Sequence, residues 1–97
     1  MTSSALTGTS VVQRRPDALS ADVGGELVLM SVDHGRYYGL DDIGSDIWEQ
    51  TEQAISVRQL CDWLSAKYEG DPAVIERDVL HLLAELAAQD LIEAVEA

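Results

Sequence analysis

The chain is poor in cysteine, in basic residues and in long apolar runs, and each shortage closes off a class of function. One cysteine, Cys61, in 97 residues excludes an internal disulfide and any multi-cysteine metal site. It falls on an apolar helical stripe, where it reads as a small core residue and not as a reactive thiolate. Six Lys and Arg against 18 Asp and Glu give a formal charge of −12, a field that repels phosphate backbones. No local patch offsets it, because from Tyr37 onward only Arg58, Lys67 and Arg77 are basic. No segment reaches the roughly 18 apolar residues of a membrane span. Met1 to Ser10 also lacks the basic start and apolar run of a signal peptide. The expectation is a cytoplasmic protein without a membrane or nucleic-acid partner.

Catalytic constellations are missing as well. His34 and His81 lie in a turn and on a helix, with no His-x-x-x-His or Cys-x-x-Cys spacing to gather a metal. Gly24-Gly25 precedes a strand and not a helix, so it is no phosphate cradle. The many carboxylates are explained by an acidic surface better than by an acid/base pair. No catalytic residue, metal or cofactor is expected, and the chain reads as non-enzymatic.

What is present is enough for one domain with a single modest core. Residues 1–10 are small and polar and read as a flexible tail, leaving 11–97 as the folded domain. Val11-Val12-Gln13 begins an extended entry, and Pro16 fixes a bend. Leu19 and Val23 mark a weak first strand over 18–23, and Gly24-Gly25 suits a two-residue hairpin. Glu26 to Val32 is the strongest strand, apolar on both faces and so central in its sheet. Asp33-His34-Gly35 makes the next turn, with Gly35 at a left-handed position. Arg36 to Leu40 is then the third strand of a meander, at its edge.

The period turns helical after Leu40. Asp41 or Asp42 caps a first helix carrying Ile43, Ile47 and Trp48. Ser56 and Gln59 form a capping box for a second, with Val57, Leu60, Cys61, Leu64 and Tyr68 as its stripe and Gly70 as its end. Asp71-Pro72 starts a third helix that runs to about Gln89, and Leu91-Ile92 packs a short tail. The result is an α+β domain of winged helix-turn-helix type, a three-stranded antiparallel sheet followed by three helices.

The third helix has more apolar surface than one core face needs. At 100° per residue, Ile75, Val79, Leu82 and Leu86 fall within about 60°, and Leu83, Leu80, Ala87 and Ala84 widen the arc to about 180°. The extra arc is covered either by the rest of the domain or by a bound peptide. Tyr37 and Tyr38 point to opposite faces of their strand, so at most one is a core residue. Trp63 lies off its helix's stripe, at an interface or against a loop.

The run Glu26-Leu27-Val28-Leu29-Met30-Ser31-Val32, its Asp33-His34-Gly35 turn, Arg36-Tyr37-Tyr38-Gly39-Leu40 and Ile43-Gly44-Ser45-Asp46-Ile47-Trp48 together resemble the PqqD-like family. Its members are the peptide-recognition elements of ribosomally made, modified natural products (RiPPs). The resemblance runs from about residue 11 to residue 95. The Asp41-Asp42 pair departs from it, since Asn is common there. A free-standing acidic chain of this length is most similar to the leader-binding protein of lasso peptide biosynthesis, a route to antibiotics. The resemblance implies a peptide chaperone that binds a precursor's leader and presents it to a separate leader peptidase, after which a cyclase closes the ring. It implies that the leader adds antiparallel to the third strand and drops Tyr, Pro and Leu of a Tyr-x-x-Pro-x-Leu segment into a groove against the third helix. The residues so implicated are Arg36, Tyr37, Tyr38, Leu40, Glu76, Arg77, Leu80, Leu83 and Ala84. Two alternatives stand beside it: a PqqD-type chaperone serving a radical SAM enzyme and, further off, a winged-helix DNA-binding regulator. An exposed edge strand also leaves open a monomer or an edge-to-edge dimer.

Overall fold

The computed structural model describes residues 6–32 and 34–95. In chain order they form β1 (Val11–Arg14), β2 (Leu19–Val23), β3 (Glu26–Ser31), β4 (Arg36–Leu40), α1 (Asp42–Gln50), β5 (Ile55–Ser56), α2 (Val57–Tyr68), α3 (Pro72–Ala88) and β6 (Ile92–Val95). The expected meander is the sheet β2-β3-β4, with β3 at its centre. Gly24 and Gly25 take φ of 63° and 90°, which matches the twist of a two-residue hairpin. Gly35 closes the second turn at φ 63°. Asp33, expected in the same turn, lies outside the described residues.

Register assigns the faces of this sheet. Leu27 lies opposite Leu40, Leu29 opposite Tyr38 and Ser31 opposite Arg36, and residues directly opposite share a face. Leu29 and Ser31 are buried, so Tyr38 and Leu40 stand on the inner side. Met30 with Tyr37, and Val28 with Gly39, occupy the outer side.

A second sheet, β5-β1-β6, corrects the sequence reading. Val11–Gln13 are more than an extended entry, and the tail after Leu91 is a strand: β1 pairs with β6 from Val11 opposite Val95 to Arg14 opposite Ile92. Both strands are short and draw their order from burial, with Val12, Leu91 and Ile92 almost wholly enclosed. The end of the expected tail is also tied down. Ser10 O accepts from Val57 N at 2.8 Å, and Gly8 O accepts from Arg58 N at 3.0 Å. Those N–H groups open α2 and have no partner within the helix.

Caps set the helix boundaries. Asp41 Oδ1 accepts from Gly44 N at 2.8 Å, Ser56 and Gln59 form the expected box, and Asp71 Oδ1 accepts from Ala73 N at 2.9 Å. The left-handed residue that ends α2 is Glu69, at φ 52°, and not Gly70. The core gathers Leu29 from the meander, Val12 and Ile92 from the second sheet, and Ile47, Trp48, Leu60, Leu64, Val79, Leu83 and Leu86 from the helices. Arg14 lies 4.7 Å above the Trp48 ring and donates to Trp48 O at 2.8 Å, joining β1 to α1.

Candidate functional site

Among the described residues, β4 pairs only with β3, so one side of its backbone is open. Where β4 ends, a groove of about 460 Å³ begins. Its walls are Gly39 and Leu40 at the end of β4, Asp41, Ile43, Gly44 and Ile47 on α1, Leu64 and Tyr68 on α2, and Ile75, Asp78, Val79, His81, Leu82 and Glu85 on α3. Ile43 is 44 % exposed here, an apolar side chain on the groove wall, whereas Ile47 and Trp48 of the same helix are buried. Gly44 lets α1 start close to β4. A Cβ at this position would lie 3.1 Å from Asp41 Oδ1 and 3.3 Å from Leu40 Cβ, which gives the glycine of the Ile-Gly-x-x-Ile-Trp run its physical reason.

Tyr68 forms the partition between this groove and a second, acidic cleft that contains Asp22, Asp42, Asp46, Glu49 and Lys67. Its hydroxyl donates to Asp46 Oδ2, and Lys67 Nζ reaches the same oxygen at 2.9 Å. Burial alone pushes the Asp46 carboxyl up, but the hydrogen bonds from Tyr68 and Lys67 and the Lys67 charge outweigh it and hold the group below its ordinary value. The Tyr68 phenol is pushed up to about 12, first by its bond to Asp46. Lys67 Nζ also lies 5.1 Å from the Trp63 ring, so Trp63 packs under a neighbouring turn of its own helix.

Of the residues implicated from sequence, Leu40 alone lines the groove. Tyr37 is 72 % exposed on the outer face, whereas Tyr38 is half-buried and packs against the core. Arg36 is exposed at the far end of β4. Glu76, Arg77, Leu80, Leu83 and Ala84 do not line the groove, and Leu83 is fully buried. The reason is rotational. With Ile75 at 0°, the buried residues Leu86, Val79 and Leu83 fall at about 20°, 40° and 80°, so this part of the apolar arc turns inward, while Ala84 at about 180° is exposed. The groove takes the opposite flank, where Leu82, Asp78 and Glu85 fall at about 340°, 300° and 280°. The α3 residues implicated from sequence lie on the other side of the helix from this flank.

Cys61 is half-buried, and burial, then the charges of Glu76 and Asp62, push its thiol up. His34 pairs with Asp90 at 3.1 Å. Among the described residues no His, Cys, Asp and Glu converge to hold a metal. No helix among them is long and apolar enough to cross a membrane.

Fold and groove together define a small α+β domain with an open strand edge leading into a partly apolar cleft. The family of coenzyme PQQ synthesis protein D (PqqD) matches residues 26–92, and the chain belongs to that family. Among solved structures, TbiB1 in complex with the TbiA(beta) leader peptide is similar at TM-score 0.75 and 32 % identity, over 88 % of this chain and 99 % of that one. The PqqD truncation of Methylobacterium extorquens PqqCD, a functional and stand-alone RiPP recognition element, is similar at TM-score 0.77 and 27 % identity, over 92 % and 95 %. Lasso peptide synthetase B1 complexed with its leader peptide reaches TM-score 0.73 over 84 % and 96 %, and at 23 % identity it speaks for the fold alone. No curated protein matches the chain.

Proposed function

We propose that this protein is a non-catalytic RiPP recognition element of a lasso peptide pathway. It holds the leader of a precursor peptide against β4 and presents it, in the cytoplasm, to a separate leader peptidase; a cyclase then acts on the released core. The observation that carries the reading is the open edge of β4 ending in a groove. Unpaired backbone groups supply affinity to an extended segment, and pockets beside the edge supply specificity. β2 offers a second edge, but the groove adjoins β4. Leader side chains facing inward pass Tyr38 and reach Leu40, Ile43, Ile75 and Leu82, while those facing outward lie beside Tyr37. Arg36 marks the end where an antiparallel leader departs. The roles first given to Glu76, Arg77, Leu80, Leu83 and Ala84 pass to the groove flank of α3. A PqqD-type chaperone for a radical SAM enzyme would use the same edge, and the 27 % likeness to the PqqD truncation supports that second reading. The higher identity to a leader-bound TbiB1 favours the first.

The test is a fluorescence titration with a labelled peptide of Tyr-x-x-Pro-x-Leu spacing, followed by single N-methylation of its backbone amides. Strand addition predicts that methyls at alternate positions weaken binding by about tenfold or more, since each removes a ladder bond, while those between are tolerated. Tolerance at every position would rule out pairing with β4. Co-purification with a peptidase or with a radical SAM enzyme then separates the two pathways.

A further inference from the structure

The groove is apolar at its floor and acidic at its rim, and the combination selects the chemistry of its occupant. Leu40, Ile43, Ile75 and Leu82 make the floor; Asp41, Asp78 and Glu85 stand at the rim, and among the described residues no Lys or Arg lines it. Compensation nearby is weak. Arg77 Nε lies 3.9 Å from Asp78 Oδ1 with both side chains exposed, and His81 Nε2 lies 3.7 Å from Glu85 Oε2. Asp41 is engaged as the cap of α1, where the helix N-terminus offsets part of its charge. Asp78 and Glu85 therefore carry most of the free charge. They are two turns apart on one flank of α3, about 10 Å along its axis. Beyond Tyr68 the acidic border continues with Asp42, Asp46 and Glu49, and its one cation, Lys67, is already paired with Asp46.

We propose that the groove selects an extended segment in which a large apolar anchor is flanked by Lys or Arg, with Asp78 and Glu85 as the specificity-determining residues. This inference rests on the strand-addition reading above. In antiparallel addition the earlier residues of the segment lie at the Leu40 end of β4, so the basic residues precede those that pass Arg36. Apolar burial fixes the anchor, and the rim charges decide which sequences around it are accepted.

The experiment compares two labelled peptides that share the Tyr-x-x-Pro-x-Leu anchors and differ in carrying two lysines or two glutamates just before the tyrosine. At about 50 mM salt the lysine peptide binds about threefold to tenfold tighter, the range of two exposed ion pairs. At about 1 M salt, where the screening length is about 3 Å, the ratio falls below about twofold. The double variant Asp78→Asn/Glu85→Gln, whose fold is checked by circular dichroism, loses the preference at low salt. Equal binding of both peptides by the unmodified protein would overturn the inference and leave strand addition standing. A preference that survives in the double variant would overturn the assignment to Asp78 and Glu85. Failure of every peptide to bind would overturn the strand-addition reading itself.

Discussion

Asp46 shows how one side chain holds a wall of the groove. It sits between Tyr68 and Lys67 on α2, and their donors outweigh the burial that would otherwise raise its titration. A carboxylate depressed in the folded state adds stability above its unfolded value of about 3.9 and loses it as the pH falls through the folded value. Tyr68→Phe removes one donor, so the Asp46 midpoint rises toward the ordinary value, as carboxyl NMR titration will show. The variant melts below the unmodified protein near pH 7, and the gap narrows as the pH falls from the unfolded value through the folded one, below which Asp46 is protonated in both. A gap that stays constant across that range would assign the Tyr68 contribution to ring packing and not to the hydrogen bond.

The element that decides the site is α3, and two adjacent leucines separate its flanks. Leu83 is fully enclosed, and Leu83→Ala costs about 2–5 kcal/mol of stability by removing core contacts. Leu82 is half-buried and opens onto the groove. Leu82→Ala is milder in thermal melts, about 1–2 kcal/mol for a half-buried side chain, yet weakens peptide binding by about tenfold or more as an anchor contact is lost. Equal effects of both variants on binding, once corrected for folding, would remove the assigned flank. Much of the fold could be read in advance because it is local. Gly24-Gly25 and Gly35 mark turns by their backbone freedom, Asp41, Ser56 and Asp71 cap helices, and β3 is apolar on both faces. The β1–β6 pairing joins chain ends far apart in sequence, and no periodicity records a partner at that distance. The groove flank of α3 stayed hidden for a related reason. Asp78 and Glu85 look like solvated helix residues until α1, held close by Gly44, is set opposite them.

At the scale of the whole molecule, charge and the open edge oppose each other. An unpaired strand invites a second copy, but two chains of −12 each repel, most strongly at low salt. A leader carrying fewer negative charges meets a smaller barrier, so the proposed leader pairing is expected to compete well against self-pairing at low salt. Binding to the folded state alone stabilises it by mass action, about 2.7 kcal/mol at a hundredfold excess over Kd. In a domain of this size that raises Tm by about 10–20 °C. The same complex slows amide exchange at the outward N–H groups of β4, while the outer edge of β2, whose residues are exposed along its length, keeps its free rate. Thermal melts with and without peptide, paired with exchange measured residue by residue, check both effects at once. A rise in Tm accompanied by protection at β2 would mean that the leader adds to the opposite edge, and would take the groove out of the binding site.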